Sequence, residues 1–428
     1  MVSLSPIAPL LVAAGILLAG NGIQSTLLAV RGEMEGFSPA IIGAMGTAYF
    51  LGFLFGTSQA PRLINLVGHI RVFSALAAVA AAGTLTLVIY IDAFFWIAMR
   101  FVMGLCFSGL FTVVESWLNE AADNADRGQV LSIYRLVDLG AVTGSQLILP
   151  VVGVSGFEIF SLMAILLCLS LVPIAMSKRG APAPSPITKF DLRQVWTISP
   201  LACIGIFAIG LSTSAFRTIG PLYASGIGLD VQGVAYFMTA GIVGGAVLQV
   251  PLGIMSDRWD RRWVLIIATL GASVAGAALS LIGPNDLTTV YAGVFIFGAF
   301  ALPLYSLCVA HANDHATKDH YALLSAGLIF VYSLGASVGP LGASFMIEWF
   351  GPSALFSYIS AVHLSLVALT LLRMRARPPV PTEDRVSFTP LMRTSPAIFR
   401  LAKRRLTHRG KAKRRSIKST KLDASKGV

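Results

Sequence analysis

The chain has 428 residues, 55% of them hydrophobic and 12% charged, with a formal net charge of +12. So little charge, about half the share of a soluble domain, excludes an ordinary soluble globular protein. The positive balance is no nucleic-acid signal either: from Arg373 onward there are 17 Lys and Arg against 3 Asp and Glu, leaving 15 against 17 in the first 372 residues.

Apolar runs long enough to cross about 30 Å of hydrocarbon as α-helices recur twelve times. They fall near 4–30, 39–61, 71–91, 94–118, 128–152, 155–177, 198–224, 231–255, 262–282, 287–311, 319–347 and 352–374. The first is not expected to be a cleaved signal peptide, because no basic residue precedes it and it runs on through Asn21, Gln24, Ser25 and Thr26. Cys106, Cys168, Cys203 and Cys308 all sit inside apolar runs and read as small packing residues, with no disulfide framework or metal site.

Basic residues accumulate in alternate loops, at Arg62 and Arg71, Arg127, Lys178 to Arg193, Arg258 to Arg262, Lys318 and the tail. The opposite loops offer only Arg31 among Glu33, Glu35, Asp92, Asp230 and Asp286. Both termini are therefore expected in the cytoplasm. Pro182, Pro184 and Pro186 with four basic residues mark a linker at 178–197 between six-helix sets at 1–177 and 198–374. The halves repeat: Pro61, Leu63, Asn65, Gly68 and Arg71 align with Gly253, Met255, Asp257, Asp260 and about Arg262 at an offset of 192, and Gly104 with Gly298 at 194.

The block Gly253, Asp257, Arg258, Arg261, Arg262 between two spans resembles the loop signature of the major facilitator superfamily (MFS), with Asp260 where that signature has its second glycine. A plain positive-inside loop accounts for the arginines but not for Gly253 and Asp257. In the fourth run Arg100, Met103 and Gly104 resemble the fourth-helix motif of the same superfamily, with Met103 in place of glutamine. Val113, Val114, Glu115 and Ser116, then Arg127 and Gly128, and the run Tyr332 to Pro340, are similar to the bacterial subgroup typified by YcaD. The resemblance implies an all-α membrane protein of twelve transmembrane helices in two pseudo-symmetric six-helix bundles. It also implies a secondary transporter working by alternating access on a small molecule, with protons as the expected coupling ion. A non-transporting receptor or scaffold that keeps the fold is the rival, supported by the eroded first-half signature at Pro61 and Asn65. Gly335, Gly339 and Gly342 with Pro340 resemble an antiporter motif displaced to the other half, or simply let helices approach closely.

Ionisable residues inside spans are costly and want a partner or a water-filled cavity. They are Arg100, Glu115, Arg135, Asp138 and Arg217. Arg135 and Asp138 share a helix face, as a self-neutralising pair or as a substrate and proton site. Asp138 is the first candidate proton carrier, with Glu115 next. Arg100 and Arg217 either meet substrate or snorkel to the surface. Asn21 and Gln24, three apart on one face of the first helix, which the resemblance implies lines the cavity, contact substrate or bond neighbouring helices. The Gly253 to Arg262 block is the expected gate, with Asp257 placed against Arg127 and Gly128.

No cofactor is expected. His311, His315 and His320 match no metal spacing and read as solvated loop residues. No Walker sequence is present, and no nucleophile, base and orienting group can be assembled into an enzyme site. The tail at 375–428 reads as disordered, with a short interfacial helix around 396–408, and its cationic clusters suit anionic membrane lipid. The expected protein is a monomer with no nucleic-acid partner.

Overall fold

In the computed structural model the described residues are 7–121, 127–176, 191–281, 286–317, 320–376, 378–381, 383, 385–386 and 388. They form helices only. The first half holds α1 (Ala8–Met34), α2 (Pro39–Val67), α3 (His69–Ile89), α4 (Ala93–Ala121), α5 (Arg127–Val152) and α6 (Glu158–Ala175). The second holds α7 (Leu192–Ile198), α8 (Pro200–Gly226), α9 (Val231–Arg258), α10 (Arg261–Leu281), α11 (Leu287–Ala301), α12 (Leu304–Asp314), α13 (Tyr321–Phe350) and α14 (Ala354–Met374).

Twelve spans result, matching the twelve apolar runs, because α11 and α12 are one crossing, Leu287–Asp314. That crossing breaks at Pro303, whose ring removes a backbone donor. The short α7 lies in the expected linker. Asp191 caps it by accepting from the Arg193 and Gln194 amides, Gln194 pairs with His320 at 2.7 Å, and Val195 packs against Gly327 of α13. Residues 178–190 of the linker, and the stretch from 389 on which the interfacial helix and lipid contact rest, lie outside the described residues.

The repeat seen in the sequence has a physical counterpart at several caps, corners and crossings. Ser38 and Asp230, 192 apart, cap α2 and α9 by accepting from the Ile41 and Gly233 amides at 3.4 and 2.8 Å. Asp92 and Asp286, 194 apart, do the same for α4 and α11 through Phe95 and Thr289 at 2.8 and 3.2 Å. The loop acids at these positions thus satisfy helix N-termini. The chain reverses through left-handed glycines at Gly36 and Gly228 (φ +79 and +91) and at Gly153 and Gly351 (φ +86 and +85), the same corners of the two halves.

Gly52 and Gly104 bring α2 and α4 into backbone contact, where a Cβ would collide with the Phe101 and Tyr49 carbonyls. Gly244 and Gly298 do the same for α9 and α11 against Phe295 and Gly241. The Gly104 and Gly298 correspondence is therefore a packing requirement of small residues at a close crossing.

The halves meet through α2 on α13, α5 on α9 and α1 on α8. At the end bearing the loops after α1, α8 and α13 they interlock: Gly43 lies under Ser344 and the Pro340 carbonyl, Gly46 under Thr218 and the Pro340 ring, and Glu348 accepts from the Ala40 amide at 3.2 Å. This is called the closed end below, and the other, carrying the chain termini and the loop between α9 and α10, the terminal end.

Candidate functional site

Polar side chains gather where the halves face each other, in two layers. Counted at 1.5 Å per residue, Gln24, Tyr49, Arg100 and Arg217 lie about 10–15 Å from the closed end of their helices. Arg100 does not snorkel: it is 2% exposed, its Nη1 donates to Gln24 Oε1 at 2.6 Å, and its guanidinium sits 4.3 Å from the centre of the Tyr49 ring. Gln24 Nε2 is turned by Met103 Sδ at 2.7 Å, so the methionine replacing the expected glutamine helps orient the amide that holds Arg100. The Tyr49 hydroxyl donates to Asn21 Oδ1 at 3.0 Å.

The structure thus joins Asn21, Gln24 and Arg100 through Tyr49, which sequence reasoning missed because a tyrosine in an apolar run carries no periodic or charge signal. Arg217, on the other half and half-buried, lies with Arg100 within electrostatic reach of the Tyr49 hydroxyl.

The second layer lies nearer the terminal end. Arg135 Nη1 donates to Asp138 Oδ2 at 2.5 Å, the side chains being 29% and 14% exposed, and Arg135 Nη2 reaches Gln249 Oε1 of the other half at 3.5 Å. The pair is therefore joined on its own helix and touches the partner half. Tyr134, fully enclosed, stands within electrostatic reach of Glu115, Asp138 and Arg135, and Glu115 is 2% exposed. Gln249 and Tyr134 were also missed, being a lone amide and a lone phenol among apolar neighbours.

At the terminal end the expected gate block is a network. Gly253 and Asp257 lie in the last turns of α9, and Arg261 and Arg262 open α10. Arg261, 2% exposed as a side chain, bonds Asp314 Oδ2 at 2.7 Å, Asp257 Oδ1 at 3.1 Å and Ser256 Oγ at 3.1 Å. Arg262 pairs with Asp260 at 2.7 Å, and Arg258 is exposed. Burial works to raise the Asp260 carboxyl, but the hydrogen bonds and charge of Arg262, with the charge of Arg385, outweigh it and hold the group below the usual aspartate range.

Asp260 stands where a glycine was expected, and the chain needs none there. Gly68, its counterpart in the first half, has φ +87, whereas Asp260 does not take a positive φ.

What sequence reasoning did not foresee is the strap that closes this network. The Phe388 amide donates to Asp257 Oδ1 and Oδ2 at 2.7 and 3.0 Å, and the Val386 amide to Asp314 Oδ1 at 2.8 Å. Arg261 donates to the Val386 carbonyl and Arg385 to that of Trp259, while the Phe388 ring lies on Gly253. Asp257 is engaged by these groups; the surroundings of Arg127 and Gly128, against which it was expected, lie outside what is described.

A cleft beside the strap is lined by Ser199, Arg262, His311, Arg373 and Arg385. His311 is 7% exposed on α12, so it is a buried helix residue and not the solvated loop residue expected, because the tenth crossing runs further than its apolar run. Cys168 corrects the reading of four packing cysteines: it is exposed on α6, whereas Cys106, Cys203 and Cys308 are buried. Among the described residues no group of three or more His, Cys, Asp and Glu could hold a metal ion.

The family model described as Major Facilitator Superfamily matches residues 10–244 and 202–408. The chain belongs to the major facilitator superfamily. It is a multi-pass membrane transporter by family and not an enzyme. Among similar proteins, an uncharacterized MFS-type transporter of Yersinia enterocolitica is 26% identical over 336 residues, covering 77% of this chain and 86% of its own. The uncharacterized MFS-type transporter YcaD of Escherichia fergusonii is 25% identical over 342 residues, 78% and 87% of the two chains. YcaD is thus among the relatives, as the fourth-helix run implied. Among solved structures the nucleoside transporter NupG superposes with a TM-score of 0.75 at 11% identity, over 86% of this chain and 99% of that one. A POT family transporter in complex with 5-aminolevulinic acid gives 0.70 at 12%, over 86% and 96%. At such identities these structures speak to the fold.

Proposed function

We propose that the protein is a secondary active transporter carrying a small molecule across a bacterial cytoplasmic membrane by alternating access, with both termini cytoplasmic and a proton as coupling ion. One observation carries this reading: the halves interlock at the closed end, through Gly43 and Gly46 against Pro340, Ser344 and Thr218, with a polar layer just beneath. A pair of halves sealed at one end, with buried polar groups at the seam, is what a rocking transporter presents in one of its two states. With the termini in the cytoplasm this state is closed to the outside.

The bundles 1–177 and 198–374 are the proposed rocking bodies, and 178–197 their linker. Asn21, Gln24, Arg100 and Arg217 meet substrate. Asp138 carries the proton, because its charged form has Arg135 as a partner that a conformational change can withdraw, and Glu115 serves the adjoining gate. Asp257, Arg261 and Arg262, with Gly253 and Arg258, form the gate of the terminal end.

The test is reconstitution. Purified protein in liposomes should exchange at least one member of a small-metabolite panel across the membrane, and an imposed pH difference should drive its accumulation. Exchange without a pH response would remove the proton. Binding of a panel member without any exchange would favour a receptor that has kept the fold.

A further inference from the structure

Among the described spanning residues the arginine of one layer is paired with a carboxylate and the arginines of the other are not. Nearer the terminal end Arg135 and Asp138 neutralise each other at 2.5 Å. Nearer the closed end stand Arg100 and Arg217, one from each half, and among the described residues neither makes an ion pair. The carboxylate on Arg100's own helix, Glu115, is fifteen residues on, about 22 Å along the axis, too far to serve as counter-ion. Asp138 lies about 21 Å from the closed end, in the other layer, and is already taken.

Arg100 is also aimed. Gln24 holds one terminal nitrogen at 2.6 Å and the Tyr49 ring supports the guanidinium face at 4.3 Å, which leaves further N–H donors of the planar fork for a ligand. Gln24 and Tyr49 are themselves fixed, by Met103 and Asn21. Arg217 comes from the other half at a similar depth, within electrostatic reach of the same tyrosine hydroxyl, and the neighbouring Thr218 lies on Gly46 of α2, three residues from Tyr49. Two cations in a region of low dielectric repel each other and want an anion between them.

We propose that the ligand of this layer is a small anion bearing a carboxylate or phosphate group, held between Arg100 of the first half and Arg217 of the second. The proposal rests on the transporter reading above and names its substrate class. Such an anion accepts from both guanidinium groups, in bidentate fashion where geometry permits, while Asn21, Gln24 and Tyr49 keep Arg100 in place. Its charge removes the repulsion between the halves, so a loaded carrier closes at this level more readily than an empty one.

The experiment is thermal unfolding of the purified full-length protein in detergent at constant ionic strength. The probes are succinate, gluconate, glycerol 3-phosphate and inorganic phosphate, set against uncharged succinamide, glycerol, glucose and uridine. At least one anion should raise Tm in a saturable way beyond a sodium chloride control, and Arg217→Gln should weaken the response at least ten-fold. Arg217→Gln should itself be no less stable than wild type without ligand, since it removes a cation that has no counter-ion. It therefore carries the test even if Arg100→Gln fails to fold.

A neutral probe that stabilises as well as any anion, an anion response unchanged in Arg217→Gln, or no response to any anion overturns the proposal. Liposome assays separate it from the reading beneath it. Uptake of uridine alone, with no anion response, keeps the transporter and removes the anion. Arg217-dependent anion binding with no transport of any probe keeps the site and removes the transporter.

Discussion

At the scale of single residues, the roles turn on which partner each charge has. Asp138 is the carboxylate joined to a cation on its own helix, so Asp138→Asn should abolish uphill accumulation driven by a pH difference while leaving downhill exchange within about ten-fold of wild type, as compared in liposomes. Asp260 gives a prediction in pH. Its carboxyl is held below the usual aspartate range by Arg262, so the folded state binds a proton less readily than the unfolded one. The resulting stability is fully present above about pH 5 and fades as pH falls through 4. The pair is partly exposed and worth less than about 1 kcal/mol. In Asp260→Asn the acid limb of Tm against pH should flatten correspondingly; an unchanged limb would show that other carboxylates dominate it.

Among elements, close crossings and the strap make the sharpest demands. α4 and α11 touch their neighbours backbone to backbone at Gly104 and Gly298, and a Cβ there has no flexible side chain to push aside, only the carbonyls of Tyr49 and Gly241. Gly104→Ala and Gly298→Ala should each destabilise by about 1–3 kcal/mol and lower the monodisperse yield in detergent, whereas Gly140→Ala, where a Cβ meets open space, should cost far less. The strap tests whether residues beyond the last crossing belong to the folded unit. Truncation after Arg377 removes the amides that fill Asp257 and Asp314, leaving Asp314, 3% exposed as a side chain, with Arg261 alone. That chain should still insert, because all twelve crossings remain, but should lose about 1–3 kcal/mol of thermal stability.

For the whole molecule, the seal at the closed end sets which state is populated. Gly43 and Gly46 admit Pro340 and Ser344 only because they lack side chains, so Gly43→Leu should hold α2 and α13 apart there. In a Cys168→Ser background, labelling of Ser344→Cys by a membrane-impermeant maleimide should rise several-fold on adding Gly43→Leu; unchanged labelling would mean that the seal does not depend on this contact. Fold class, the number of crossings and the twofold repeat were legible in the chain because they rest on local, additive signals: apolar run length, and the loop block and the Gly104 and Gly298 pair returning at offsets of 192 and 194. Asn21, Gln24, Arg100, Arg135, Asp138 and Arg217 could be picked out for the cost of polar groups in apolar surroundings, without showing which would meet. Tyr49 over Arg100, Gln249 beside Arg135, and the Phe388 amide on Asp257 join residues 51, 114 and 131 positions apart, or on different bundles, and neither run length nor periodicity carries such information. Those pairings arise when helices pack, since a buried donor or cation takes whichever acceptor the neighbouring helix brings within about 3 Å.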